Sequence, residues 1–246
     1  MAAEVPIPSA VQPRAVDAGQ GIAWWTDAWA LFMKSAALWI VLGLVLLVVL
    51  IVLAFIPIVG GVVASLIVPV FMGSWMLAAR NVEGGGALEV GDLFTCFKGE
   101  KLSPLLVLGA LFLAGMVVIV LVTMVLGFGA VGGMMMGGAH QSVGGMMAGL
   151  GVGMFTMLIV LVLGTLVGMA LWFAPGLVVM RGVPPVDAMK LSFAASLKNL
   201  VPFLLYGLIY IVASIIASIP LGLGWLLLGP LAMLTVYVSY KDVFGV

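Results

Sequence analysis

Charged residues are scarce in this chain, and those present avoid its long apolar stretches. Only 7% of the residues are charged, against roughly a quarter in a typical soluble domain. Three stretches, at about 35–79, 102–180 and 199–240, contain no Asp, Glu, Lys or Arg. A charge in hydrocarbon costs about 3 kcal/mol on insertion scales, so charges collect where a chain leaves the membrane. So few charges could not cover the surface of a water-soluble protein.

Groups that carry chemistry are scarce as well. The single cysteine, Cys96, excludes an internal disulfide and any multi-cysteine metal site. It falls on the predicted polar side of its helix with Glu89 and Asp92, which disfavours a reactive thiolate. The sequence has no Ser-His-Asp set, phosphate-binding loop or HExxH motif, and no acid in its apolar stretches. We therefore expect no enzymatic activity and no cofactor, and the zero net charge predicts no nucleic-acid partner.

The chain contains long, uninterrupted apolar stretches. Each charge-free stretch can hold two crossings, because a spanning helix needs about 20 apolar residues. The sequence predicts an all-α integral membrane protein whose six transmembrane helices form three span-turn-span hairpins. The turns are Pro57-Ile58-Val59-Gly60, a loop at 128–151, and Pro220-Leu221-Gly222. The predicted spans are residues 36–56, 61–79, 104–127, 152–175, 200–219 and 223–240.

The distribution of basic residues predicts the orientation. The segments 80–103 and 176–199 hold three basic residues each, whereas the three turns hold none. By the positive-inside rule both termini are cytoplasmic, in a bacterial inner (plasma) membrane. An aromatic belt near the cytoplasmic headgroups would then contain Trp39, Trp75, Trp172 and Tyr240.

A short amphipathic stretch opened by an aspartate precedes each hairpin, at Asp27, Asp92 and Asp187. Helical spacing collects apolar side chains on one face of each stretch. These stretches predict three cytoplasmic-side interfacial helices that lie on the membrane. Their aromatic residues are Trp25, Trp29, Phe32, Phe94, Phe97 and Phe193.

The recurrence of an amphipathic stretch followed by a hairpin predicts three pseudo-repeats, at about 21–82, 87–175 and 185–243, within one membrane domain spanning residues 21–246. Residues 1–20 contain three prolines and mixed charge without an apolar run, so they predict a disordered cytoplasmic tail.

Several segments resemble those of uncharacterised bacterial inner-membrane proteins. The chain is similar in layout to the YciC family and to the membrane domain attached to some glycerophosphodiester phosphodiesterases. The resemblance rests on Trp25-Thr26-Asp27-Ala28-Trp29 with Phe32, Pro57-Ile58-Val59-Gly60, Pro69-Val70-Phe71-Met72, and Asp92-Leu93-Phe94 before Pro104. It implies a fold and a location. It implies no activity, and the catalytic phosphodiesterase domain has no counterpart here.

The loop at 128–151 combines methionine with the only histidine. Thioether and imidazole groups suit Cu(I), so a copper-binding loop is one interpretation. A glycine-rich connector whose methionines pack on neighbouring helices or enter the outer leaflet is the interpretation that we prefer. The candidate ligands are Met134, Met135, Met136, His140, Met146 and Met147.

Polar residues form a stripe on the fifth span, where Tyr206, Tyr210, Ser214 and Ser218 recur every four residues. The stripe could line a transport pathway, or it could form hydrogen bonds between helices, which we prefer. GxxxG spacings at Gly149/Gly153 and Gly164/Gly168 favour close internal packing over dimerisation.

The favoured function is an accessory or scaffold subunit that binds membrane lipids or another membrane protein, with a homo-oligomer as a further option. The alternative is a transporter or channel subunit for an apolar or zwitterionic solute, which the polar stripe and the kinks expected at Pro69 and Pro230 would serve.

Overall fold

The computed structural model describes residues 12–139 and 143–245, and for most positions between 129 and 149 it describes the backbone alone. The described residues are mainly helical and contain no strand. Two short 3₁₀ helices, Val90–Phe97 and Gly99–Lys101, precede α4. The α-helices are α1 (Gln20–Met33), α2 (Ala36–Ala54), α3 (Val59–Glu83), α4 (Leu102–Ala139), α5 (Val143–Trp172), α6 (Ala174–Arg181), α7 (Pro185–Lys198), α8 (Leu200–Ser218) and α9 (Trp225–Phe244).

Six segments of the described chain are long and apolar enough to cross a membrane, which confirms the predicted multi-pass helical protein. They are 36–54, 59–83, 99–128, 150–181, 200–218 and 225–244. Each coincides with a predicted span, because uninterrupted apolar length can be counted along the sequence.

The helices divide into two compact units, residues 1–110 with 169–246, and residues 111–168. The second unit contains the predicted loop at 128–151, where the structure differs from the prediction. The α4 helix continues to Ala139, and α5 begins at Val143. No proline interrupts the chain between Pro104 and Pro175, and a backbone in apolar surroundings gains by forming every helical hydrogen bond.

This helical extension changes the setting of the candidate copper ligands. Met134–Met136 and Met146 lie on helical backbone, but their side chains, and all of His140, lie outside the described residues. Met147 is 68% exposed. The two copper-loop interpretations therefore both stay open.

The expected close internal packing is wrong for Gly153, Gly164 and Gly168, and the surroundings of Gly149 lie outside what the structure describes. A Cβ atom added at Gly153, Gly164 or Gly168 would meet no described atom within 4 Å. GxxxG spacing permits close approach but does not require a neighbour. In a chain with 33 glycines such spacings also arise by chance.

The core of the first unit is formed around α3 and α9. About half of each apolar window is buried, 50% for α3 and 56% for α9, against 11% for α2 and 17% for α8. Trp39, Trp75 and Tyr240 are at most 1% exposed. These three aromatic residues therefore belong to the protein core, and the prediction that they face the headgroups as a belt is wrong.

The first predicted interfacial helix, α1, packs on protein. Trp25 and Phe32 are 8% and 2% exposed, whereas Trp29 is 44% exposed. The α1 helix crosses α8 and α9 so closely that a Cβ atom at Gly21 would lie 2.1 Å from the Pro202 carbonyl oxygen. For Trp25 and Phe32, the predicted lipid-facing surface is thus a helix–helix contact, since an apolar face is equally suited to either neighbour.

The other two predicted interfacial segments differ from each other. The second is a 3₁₀ helix rather than an α-helix, with Phe94 38% exposed and Phe97 half-buried. Both rings pack near Phe71 of α3. The third is α7, where Phe193 is half-buried. A membrane position for these two segments stays a prediction.

Two tight turns join α2 to α3 and α8 to α9. Each places a bulky apolar residue directly after proline in the left-handed region, Ile58 at φ 63° and Leu221 at φ 55°. Both side chains point away from the protein, with 86% and 98% of their surface exposed.

Residues 12–19, predicted as part of a disordered tail, are attached to the first unit. The amide of Arg14 donates to the Val243 carbonyl over 2.9 Å, and its guanidinium forms an ion pair with Asp242. The amide of Val16 donates to Asn199 Oδ1 over 2.8 Å. Residues 14 and 16 are therefore held against the first unit, and residues 1–11 of the predicted tail lie outside the described residues.

Candidate functional site

A cavity of about 650 Å³ lies in the first unit between α2, α3, α8 and α9, with Trp172 at the end of α5. Its wall is apolar, from Leu46 and Leu50 of α2 to Met72 of α3 and Met233 of α9. At its rim Leu47 and Trp225 are 44% and 40% exposed. The cavity therefore opens onto the surface beside helices that are long and apolar enough to span a membrane.

Glycine and proline leave room for this cavity. Gly43 of α2 packs against the Pro230 ring, since an added Cβ atom would lie 2.7 Å from Pro230 Cγ. Gly229 also lines the cavity, and a Cβ atom there would meet nothing within 4 Å. A proline inside α9 removes one helical hydrogen bond, and a neighbouring glycine offers no side chain to fill the space that results.

Aromatic rings form one side of the cavity. Tyr206 stacks on Trp25, with centroids 5.0 Å apart and planes 11° apart, and Trp172 meets Tyr206 edge-on at 5.3 Å. Tyr210 continues the row, with its centroid 6.3 Å from that of Tyr206. The row gives the cavity a rigid wall, because aromatic rings have few rotatable bonds.

The polar stripe on α8 divides between the cavity and the helix itself. Tyr206 and Tyr210 line the cavity, and Tyr206 Oη is hydrogen-bonded to Thr235 Oγ1 at 3.1 Å. Ser214 donates to the Tyr210 carbonyl at 2.7 Å, and Ser218 donates to the Ser214 carbonyl at 2.8 Å. The structure thus brings the tyrosines together at one site and engages both serine hydroxyls along their own helix.

One donor in the cavity wall has no partner. Trp75 is 1% exposed, and its Nε1–H finds no acceptor among the described residues. A buried donor without an acceptor costs about 1–3 kcal/mol. No acid, base or histidine is among the residues that line the cavity. The arrangement can therefore hold an apolar molecule.

A second, polar pocket of about 240 Å³ is lined in part by residues whose side chains already have partners. Asp242 pairs with Arg14 at 3.1 Å and accepts a hydrogen bond from Trp24 Nε1 at 3.0 Å. Lys241 pairs with Glu83. We assign this pocket to the attachment of α1 and residues 12–19 to α9.

Cys96 is buried, and the prediction that it lies on a polar face is wrong. It is 0% exposed, and its backbone amide donates to Ser74 Oγ at 3.0 Å. The 3₁₀ geometry repeats every three residues, so it does not place Cys96 where an α-helical wheel would. Burial raises the pKa of the thiol, which keeps it protonated and unreactive.

Among the described residues no group of three His, Cys, Asp or Glu side chains is placed to hold a metal ion. Protein-family models, curated proteins and solved structures were compared with the chain, and none matches. The apolar cavity is therefore the site from which a function is argued.

Sequence reasoning placed Tyr206 and Tyr210 in a stripe and expected kinks at Pro69 and Pro230, but it missed the cavity. Trp75 and Trp172 were assigned to a belt, and Trp225 and Gly229 were not singled out. The one sequence signal for the cavity is Gly229-Pro230, a residue without a side chain beside a helix-breaking one inside an apolar span.

Proposed function

We propose that this protein is a non-enzymatic integral membrane protein, an accessory or scaffold subunit that binds a membrane lipid in the cavity beside Trp75, Tyr206 and Tyr210. The observation that supports this is a cavity of about 650 Å³ with an apolar wall. Its volume falls within the range of small-molecule sites, about 300–1,000 Å³.

A lipid suits the cavity better than a water-soluble molecule. The surfaces of α2 and α8 around the rim are themselves apolar and exposed, so the ligand would arrive from the hydrocarbon region. An acyl chain fits the cavity, because its lining is almost entirely aliphatic and aromatic.

A transporter for an apolar or zwitterionic solute is the second candidate. The cavity favours it because Tyr206 and Tyr210, half of the predicted polar stripe, line the wall. Replacing Tyr210 with Phe and Ser214 with Ala separates the two proposals. Solute flux into proteoliposomes should fall in a transporter, whereas a scaffold should keep its bound lipid and lose little stability, since Ser214 bonds only its own helix.

The cavity is tested by filling it with the substitution Gly229→Leu. The new side chain enters open space, because a Cβ atom at Gly229 meets nothing within 4 Å. We expect about tenfold weaker retention of lipid, which corresponds to about 1.4 kcal/mol. Native mass spectrometry of the purified protein measures retained lipid. Quenching of tryptophan fluorescence by brominated acyl chains gives a second measure, since three of the seven tryptophans line the cavity.

Gly207→Leu is the matched control. Gly207 lies inside α8, meets nothing within 4 Å and does not line the cavity. Both substitutions place the same side chain at a helical glycine, but only Gly229 precedes a proline. Thermal unfolding of both variants is therefore measured alongside, so that lipid retention is compared between folded proteins. Equal lipid retention and equal quenching in the two variants would contradict a lipid site in this cavity.

The orientation and location form part of the proposal. The basic residues of segments 80–103 and 176–199 support cytoplasmic termini in a bacterial inner membrane. The resemblance to the YciC-like layout is consistent with that location and stays a prediction, as does a second membrane protein or a second copy as partner.

A further inference from the structure

The apolar cavity follows one face of α9 and of the turn before it. Its lining includes residues that recur in steps of three or four along the chain: Gly222, Trp225, Gly229, Met233 and Val236. Such steps place side chains one above another on a single helical face. Between Trp225 and Val236 the helix rises about 16 Å, at roughly 1.5 Å per residue. The cavity is therefore a groove that runs along α9 and not a compact pocket.

The two ends of this groove differ in exposure. Near the α8–α9 turn, Trp225 is 40% exposed, and Leu47 of α2 is 44% exposed. At the other end, Tyr206 and Val236 are only 7% and 5% exposed. The groove is therefore open at the end near the α8–α9 turn and closed at the end near Val236.

The indole of Trp172 stands at the closed end. Its Nε1 donates a hydrogen bond to Ser239 Oγ at 3.1 Å, and Ser239 lies three residues beyond Val236 on α9. The Ser239 hydroxyl itself donates to the Val236 carbonyl at 3.0 Å, so its oxygen is oriented to accept from Trp172. Phe203 and Tyr206 meet the indole edge-on, at centroid distances of 5.4 and 5.3 Å. These contacts hold the ring in one position where the groove ends.

We propose that the groove takes the hydrocarbon chains of a lipid tail first, from the leaflet that holds the α8–α9 turn, and that Trp172 sets the chain length it accepts. This inference rests on the lipid site proposed above and adds a direction and a length to it. The distribution of basic residues predicts that this leaflet is the outer one.

The length of the groove indicates which chains fit. A groove of about 16 Å is close to half of a hydrocarbon core roughly 30 Å thick, and thus to one leaflet. It holds about 14 bonds of an extended chain, at roughly 1.2 Å per bond as in an extended backbone. This is close to the length of a myristoyl chain. A longer chain must bend against Trp172 or leave its headgroup raised above the open end.

The test uses the full chain in neutral detergent with an equimolar mixture of dilauroyl, dimyristoyl, dipalmitoyl and distearoyl phosphatidylcholine. These lipids share one headgroup and differ only in chain length, and native mass spectrometry measures the proportion of each that stays bound. We expect the dimyristoyl lipid to be retained roughly fivefold or more over the distearoyl lipid, since methylenes forced against a packed wall are destabilising.

Trp172→Ala opens the closed end, so the ratio of distearoyl to dimyristoyl lipid should rise about fivefold. Trp172→Phe keeps a ring and guards against loss of folding, and it should raise the ratio by a smaller factor. Each ratio compares lipids on the same folded protein in one sample, so a loss of stability does not alter it.

Trp225→Ala is the matched control, because it makes the same substitution at the open end of the same groove. It should lower the retention of all four lipids alike and leave their ratios unchanged. Ratios that stay the same in Trp172→Ala, or that shift equally in both variants, would overturn the role of Trp172.

The direction of entry is tested with two brominated phosphatidylcholines, one with bromine at the methyl end of its chains and one with bromine beside the carbonyl. Quenching of tryptophan fluorescence by the first should fall in Trp172→Phe, and quenching by the second should fall in Trp225→Phe. The reverse pattern would contradict tail-first entry. Retention of none of the four lipids by the wild-type protein would instead contradict the lipid site itself, so the two failures are distinguishable.

Discussion

Two tryptophans of α1 differ strongly in burial, although both lie on the face predicted to be apolar. Trp25 and Trp29 are one helical turn apart on the same predicted face, yet they are 8% and 44% exposed. Trp25 stacks on Tyr206 and lies near Tyr210, at centroid distances of 5.0 and 6.3 Å, so it supports the aromatic wall of the cavity from behind. Trp29 packs only on Phe32 of its own helix among the aromatic rings.

Trp25→Ala should therefore destabilise the protein by about 3–5 kcal/mol, as large-to-small changes in a core do. Trp29→Ala should cost about 1 kcal/mol or less, since much of its side chain is already exposed. Thermal unfolding in one detergent compares the two. Trp25→Phe is the control, because it keeps a ring on Tyr206 and removes an indole N–H that has no partner. A larger loss for Trp29→Ala would contradict the packing of α1 on α8.

At the scale of elements, Asn199 joins three segments. It lies between α7 and α8, is 1% exposed, and binds residues 12–19 through both atoms of its amide. Oδ1 accepts from the Val16 amide at 2.8 Å, and Nδ2 donates to the Arg14 carbonyl at 3.0 Å and to the Ala195 carbonyl at 2.9 Å. One buried side chain thus gives residues 12–19 a fixed path.

Asn199→Ala should release residues 12–19 while the spans stay folded. Leaving buried backbone groups unpaired costs about 1–3 kcal/mol, so amide hydrogen exchange of this segment should accelerate about five- to hundredfold, whereas α3 and α9 should keep their protection. Asn81→Ala is the control, since the Asn81 amide bonds only the local Ala87 carbonyl, at 2.8 Å. Unchanged exchange in residues 12–19 would mean that the remaining contacts hold the segment without Asn199: those of Arg14 with Val243 and Asp242, and that of Lys198 with the Pro13 carbonyl.

At the scale of the whole molecule, the arrangement of charge predicts which parts face which side. The six candidate spans of the described residues alternate between two segments rich in basic residues and three connections whose sequence holds no basic residue. An even number of crossings would put both termini on one side, and the positive-inside rule predicts that this side is cytoplasmic.

Fusions of a reporter that is active only outside the cytoplasm should give signal at Gly138. Fusions at Gly85 and at the C-terminus should give none, because both lie on the predicted cytoplasmic side. Insertion of the same reporter at Gly138 of the untruncated chain controls for any effect of truncation on membrane insertion. Signal at Gly85 would exclude the six-span topology.

The sequence predicts features that depend on the length of an apolar run, but not features that depend on which residues meet in the fold. The spans followed from uninterrupted apolar runs, which are a property of the chain alone. The helical wheel places Trp25 on an apolar face of α1, but it could not show that Tyr206 packs against that residue. Cys96 was misplaced because its segment is a 3₁₀ helix. The cavity was missed because it arises where α2, α3, α8 and α9 fail to fill the space between them.

Ile58 and Leu221 hold a backbone geometry that costs about 1–3 kcal/mol each in a residue other than glycine. The fold returns none of that energy through these side chains, because they are 86% and 98% exposed. Transfer of such a side chain from water to hydrocarbon gains about 1.5–3 kcal/mol. Insertion of Ile58 and Leu221 into hydrocarbon would offset that cost, which no contact within the protein does. In a medium that wets both side chains, the two turns would carry the full cost of their backbone geometry.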